Sequence, residues 1–154
     1  MLSRYFANHP IEQAVLGYRF HPSVQYDLFM PCRYVIDKER RLVISTAWDR
    51  LTFAQAKAHD DQLLSDPDFS PEFNQLIDAT AVTAMDMSID EAKMLARRAI
   101  VSPTSRRAFV AANPTVFGMG RLVATHDEIA REQKEAGVFY DRDAALKWLG
   151  LPAT

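Results

Sequence analysis

From Cys32 onward, short apolar runs bounded by turn residues alternate with segments of helical spacing, and that alternation restricts the fold more than any other feature of the chain. The first two runs, "RYVID" and "RLVISTAW", are rich in β-branched residues and are joined by the charged "KERR", which predicts an antiparallel hairpin. A helix follows. Thr52 is placed to cap it, and Phe53, Ala56, Leu63 and Leu64 recur at helical spacing through "TFAQAKAHDDQLL" before the prolines of "SDPDFSP" break the pattern. "FNQLIDA" reads as a buried strand ending near Asp78, "TAVTAMDM" as the loop after it, and Ile89, Ala92, Leu95, Ala96 and Ala99 as the apolar stripe of the next helix. "RRAFVAA" is a further strand. Asn113 followed by Pro114 opens a helix, with the side-chain cap first and the fixed proline torsion at the first helical position. That helix runs through "TVFGMGRLVATHDEIAREQKEA" to Gly137, a residue suited to a left-handed C-terminal position. "VFY" is a short strand, and Asp141 caps "RDAALKWLG", which Gly150 and Pro152 terminate.

Strands alternating with helices imply right-handed crossovers and a largely parallel sheet, with the first strand antiparallel at or near an edge. The expected architecture is a single α/β domain, an N-terminal antiparallel hairpin followed by βα units with flanking helices. A chain of 154 residues is long enough for one domain that buries roughly 68–70% of its unfolded surface. Its domain covers residues 32–150, with a short tail at 151–154. Residues 1–31 show no clear period but carry Tyr5, Phe6, Tyr18, Phe20, Tyr26 and Phe29, too aromatic for a disordered tail, so they read as an extension packing on the domain or on a partner subunit.

With 48% apolar residues, 25% charged residues and a net charge of −2, neither disorder nor a general attraction to nucleic acid is indicated. No run of about 18 apolar residues exists, and Asn8, His9 and Pro10 interrupt the N-terminal stretch, which points to a cytoplasmic chain that is neither membrane-spanning nor exported. Cys32, the only cysteine, excludes an intramolecular disulfide and reads as a small hydrophobe.

Binding sites in such sheets lie beyond the carboxyl ends of the strands, here Asp78 and its following loop, Ala112 with Asn113, and Tyr140 with Asp141. Ser88 followed by Glu91 is a capping box at a helix start. "FGMGR" lacks the third glycine of a dinucleotide loop and falls inside a helix, so Gly118 and Gly120 read as close helix packing on the sheet. The four histidines include no i, i+4 pair, and "HDD" at His59 to Asp61 reads as a solvated helix face. There is no Gly-x-Ser-x-Gly elbow and no base fixed beside Ser88 or Cys32. The residues therefore supply no catalytic constellation, no metal site and no cofactor site, and the expectation is a protein that is not an enzyme. The pairs Arg97–Arg98 and Arg106–Arg107 outline a local basic patch, part of which follows from the preference of helix C-termini for cations.

"RYVIDKERRLV", "LIDATAVTAMDMS", "RRAFVAANPTVFGMGRL" and "GVFYDRDAALKWLG", spanning about residues 32 to 150, resemble in order and spacing the SpoIIAA-like superfamily, which includes the STAS domains of anti-sigma-factor antagonists. Within it they are similar to a divergent SpoIIAA-like branch of uncharacterised bacterial proteins. In the regulatory STAS branch the helix after the middle strand opens with Asp-Ser-Ser-Gly, whose second serine is phosphorylated; Asp86, Met87, Ser88 and Ile89 occupy the similar stretch. The resemblance implies a non-enzymatic module that binds a protein partner around Thr80–Ser88, with Asp78, Thr80, Asp86, Ser88 and, from an aromatic-Gly-x-x-Arg pattern, Arg121 as candidate binding or regulatory residues. Similarity of that branch to Sec14-type folds implies the alternative, a small-ligand or lipid-binding domain with Met85, Met87, Met94, Phe117 and Met119 around an apolar cavity. A homodimer is compatible with either.

Overall fold

The computed structural model describes residues 30–98, 100–131 and 135–153; expectations placed on residues 1–29, on Ala99 and on residues 132–134 lie outside them. The hairpin forms where the charged turn predicts it. β1 (Cys32–Asp37) and β2 (Leu42–Thr52) pair antiparallel, Cys32 opposite Ala47 and Asp37 opposite Leu42. Asp37 Oδ1 accepts the Arg40 N–H at 3.0 Å, and Arg41 takes the left-handed conformation (φ 53°) that turns the chain back. The remaining elements are α1 (Phe53–Ser65), β3 (Asn74–Asp86), α2 (Ile89–Arg97), β4 (Arg107–Ala111), α3 (Pro114–Arg131), β5 (Ala136–Phe139) and α4 (Arg142–Trp148).

The sheet runs β1-β2-β3-β4-β5, with β2 to β5 parallel. Because each strand lies beside its predecessor in the same direction, right-handed crossovers put all three connecting helices on one face. The side-chain period of two then divides the core. Val43 meets Leu63 of α1, Phe109 meets Ala92 and Ala96 of α2 and Val123 of α3, and Ala111 meets Val116 of α3. On the opposite face Leu42, Leu76, Ala108 and Val110 pack on Ala145, Leu146 and Leu149, in and just beyond α4.

Local chemistry sets the helix ends. Thr52 accepts the Gln55 N–H while Gln55 reaches back to the Thr52 N–H, Asn113 Oδ1 accepts the Val116 N–H at 2.9 Å, and Asp141 accepts from Asp143 and Ala144. α4 ends at Gly150, the described glycine with positive φ (80°), where Gly150 N–H donates to Lys147 and Leu151 N–H to Leu146. Leu151 then packs against the core.

Three local expectations are corrected. β3 does not stop near Asp78, because β2 itself continues to Thr52 past two register shifts and offers an edge that pairs Trp48 with Ala81 and Thr52 with Asp86. β4 pairs only as far as Ala79, so the outer halves of β2 and β3 extend past it as a two-stranded arm. Gly137 lies in β5 and ends no helix; a Cβ there would sit 2.5 Å from Phe139 Cε2. Gly118 is exposed with nothing within 4 Å of a built Cβ, whereas Gly120 is buried against Val138 and Phe109. Close packing therefore accounts for Gly120 alone, and Gly118→Ala should raise the unfolding free energy by ~0.5–1 kcal/mol in urea titration, since helix-interior glycine costs that much in chain entropy.

Candidate functional site

The candidate residues occupy three separate places. Asp78, buried at the sheet centre on the α4 face, has both carboxylate oxygens engaged: Oδ1 accepts from the Thr80 N–H (3.0 Å) and hydroxyl (2.6 Å), and Oδ2 accepts from Arg142 Nη1 at 2.6 Å. Arg142 opens α4, so this pair anchors the helix to the sheet. Asp86 ends β3 eight residues further on, roughly 26 Å away at strand rise. Ser88 stands beside Asp86 as the exposed N-cap of α2. Its hydroxyl accepts the Glu91 N–H at 3.1 Å, and Glu91 Oε2 accepts the Ser88 N–H at 2.8 Å. Arg121 is exposed on α3 and makes no hydrogen bond or ion pair among the described residues. Asp78 with Thr80 and Asp86 with Ser88 are thus two pairs at opposite ends of half a strand, and Arg121 joins neither.

The cap itself is testable. Ser88→Ala should cost about 1 kcal/mol of stability, while Ser88→Asp should keep it, because aspartate caps as well as serine does. Denaturant titration of both variants checks this.

Beyond Ser88 the first turns of α2 expose Ile89 (58%) and Met94 (52%) beside the exposed carboxylates of Asp86 and Asp90. Met87 and Met119 pack into the α2–α3 cluster, and Phe117 stacks on Tyr140 with ring centroids 4.0 Å apart. Of the residues expected around an apolar cavity, Met85 borders one between the sheet and the helices, and Met87, Met94, Phe117 and Met119 do not line it.

That cavity, of about 110 Å³, lies between the β2–β4 floor and the helices α1, α2 and α3. Ala47, Ile77 and Phe109 form its floor, and Leu95, Val116 and Val123 its roof. At the α1 end stand His59 and Asp60, 7% and 9% exposed, contrary to the solvated face expected of "HDD". Helix periodicity explains the correction: His59 and Asp60 lie between Ala56 and Leu63 on the stripe that faces the sheet. His59 Nδ1 is 3.3 Å from Asp60 Oδ1, and Tyr34 meets the imidazole edge-on at 5.6 Å. Nε2 is buried and has no hydrogen-bond partner among the described residues.

A buried polar chain crosses the same sheet face. Gln75 Nε2 donates to Ser45 Oγ (3.0 Å), Arg107 Nε to Gln75 Oε1 (2.9 Å), and Arg107 Nη1 to Asp127 Oδ1 (3.0 Å). Ser45, Gln75 and Arg107 border the cavity, and Asp127 on α3 is fully buried. The expected basic patch is therefore dissolved: Arg107 points inward, Arg106 pairs with Glu135, and Arg98 pairs with Asp61. Cys32 also borders the cavity, its thiol pushed up to about 12 by burial and then by the Asp60 charge, which suits a passive wall residue. No group of three or more metal-ligating side chains occurs among the described residues, and none of their helices is long and apolar enough to cross a membrane.

His59, Gln75, Arg107 and Asp127 escape a reading by residue type because each is polar. Their positions carry the signal. Asp127 continues the buried α3 series Val116, Gly120, Val123, and Arg107 alternates with Phe109 and Ala111.

The architecture is that of an α/β domain with a five-stranded mixed sheet and helices on both faces. No family model and no curated protein matches the sequence. Among solved structures, the chain is similar to an uncharacterized protein from the DUF3478 family with a SpoIIAA-like fold from Shewanella loihica PV-4, at 18% identity and a TM-score of 0.51, over 77% of this chain and 93% of that one. The fold is SpoIIAA-like.

Proposed function

We propose that the domain is a non-enzymatic binding module that holds a protein partner on the outer half of β3, the Ser88 cap and the first turns of α2. The observation that carries this reading is the exposed Ile89 directly after the cap, with the exposed Asp86 and Asp90 close to it in the chain and Met94 exposed further along the same helix. An exposed large apolar side chain with exposed carboxylates close to it in the chain suits a partner that offers an apolar recess with a basic rim. The SpoIIAA-like fold supports the reading by analogy. The module is assigned to the cytoplasm. Its extension, residues 1–31, is assigned to packing on this domain or a partner subunit, in keeping with Met30 against the Leu51–Val82 cluster and the Pro31 carbonyl accepting the Trp48 N–H at 2.9 Å.

The test is quantitative capture from lysate with Asp86→Lys, Asp90→Lys and Ile89→Glu, against Ile129→Glu, which changes an exposed apolar residue on α3. One protein lost with the first three and retained with the last supports the placement. Equal capture by all four contradicts it.

A second reading, a small-ligand domain, is favoured by the cavity beneath α1, α2 and α3.

A further inference from the structure

We infer that the β1–β2 half of the α4 face of the sheet is a docking surface for residues 1–29 of the same chain, which rests on the assignment of the extension to packing and selects this domain over a partner subunit. Strand alternation identifies the surface. Cys32, Tyr34 and Ile36 pack into the clusters beneath α1 and α3, so Arg33 and Val35 point to the α4 side, opposite Thr46 and Ile44 of β2. Trp48 is on the same side, with the Arg33 guanidinium 6.0 Å from its ring. α4 packs over β3, β4 and β5, on the other half of the sheet from β1. A largely parallel sheet has both faces covered, and the β1–β2 half is left to another element.

This half is not a solvated surface in its chemistry. Val35, Ile44 and Trp48 are large, apolar and half-buried, and Arg33 Nη2 is buried. The occupant follows from where the chain enters. The Pro31 carbonyl accepts the Trp48 N–H at 2.9 Å, so the extension joins the domain at the rim of this same surface. Pro31 has no N–H to return and Asp49 takes a left-handed conformation (φ 55°), which ends the β1–β2 ladder there. Length is ample: residues 1–29 reach at most about 100 Å when extended, against about 20 Å for the six residues of β1. Their composition fits an apolar surface, with Tyr5, Phe6, Tyr18, Phe20, Tyr26 and Phe29 and with Arg4 and Arg19 balanced by Glu12 and Asp27. A tether that begins at the rim also gives this segment a high effective concentration, an advantage that a second copy or a separate protein lacks.

Nuclear Overhauser spectra of the full wild-type chain, with isoleucine and valine methyls labelled, test the placement without any variant. Ring protons of the phenylalanines and tyrosines in residues 1–29 should contact the methyls of Val35 and Ile44. A mixture of methyl-labelled, otherwise deuterated chains with unlabelled chains should lose those contacts, because each segment docks on its own domain. Contacts that persist in the mixture put the segment on a second copy; they overturn the choice of this domain and leave the packing role standing. Contacts only to methyls elsewhere, such as the exposed Ile89 or Ile129, overturn this surface and likewise leave the packing role standing. No contact from those rings to any methyl of the domain overturns the packing role itself, and the docking surface with it.

Discussion

Asp127→Ala should lower the unfolding free energy by about 3–5 kcal/mol, the largest loss expected of any substitution considered for this chain. Asp127 is fully buried on α3, and its Oδ1 accepts from Arg107, itself only 6% exposed on β4. Removing the carboxylate leaves a guanidinium in the interior with Gln75 Oε1 as a neutral partner, too little to offset its lost hydration. Breaking the pair and replacing both of its members have different consequences. Arg107→Met combined with Asp127→Leu replaces both charges with apolar side chains, and that double variant should match the parent within about 1 kcal/mol or exceed it. Urea titration of the two single variants and the double variant measures the coupling. A double variant as unstable as Asp127→Ala would show that the pair does more than satisfy itself.

Gly137→Ala should cost about 1–3 kcal/mol, through overpacking and not through backbone torsion. A Cβ at this β5 position lies 2.5 Å from Phe139 Cε2 and 2.7 Å from Cζ, with Trp148 Cε2 at 3.4 Å behind them. The Phe139 ring must move, yet it already packs on Trp148 at 5.6 Å between centroids and on the core beneath α4. Phe139→Leu in the Gly137→Ala background should recover part of the loss, because the shorter side chain gives up the atoms that clash. The same denaturation measurement serves, with Gly118→Ala as the opposite-signed control on exposed helix.

These two sites mark where the residues alone were and were not sufficient. Hairpin, helices and caps were legible because their causes are local: "KERR" turns the chain, and Thr52, Ser88, Asn113 and Asp141 each bond an amide within three residues. The extent of β3 was not legible. "TAVTAMD" has small residues and no compelling period, and it is a strand only because β2 continues alongside it to Thr52. The candidate residues inherit that difference. Reading Thr80 to Ser88 as one loop brings them together, whereas a continuous strand separates Asp78 from Asp86 and commits Asp78 to Arg142. Ser88 remains where the capping box put it. The buried polar side chains were hidden by composition: His59 and Asp60 look solvated by type but lie on the Ala56–Leu63 stripe, and Arg107 looks like half of a basic pair until the alternation of β4 turns it inward.

The central claim is where a partner sits, and hydrogen exchange of the captured complex against the free chain measures that most directly. Amides from Thr80 to Leu95, on the outer half of β3 and the first turns of α2, should gain protection on binding, with α4 and the outer face of α3 around Ile129 unchanged. Protection confined to α4 or the Ile129 face, with Thr80 to Leu95 exchanging as in the free chain, would contradict the account.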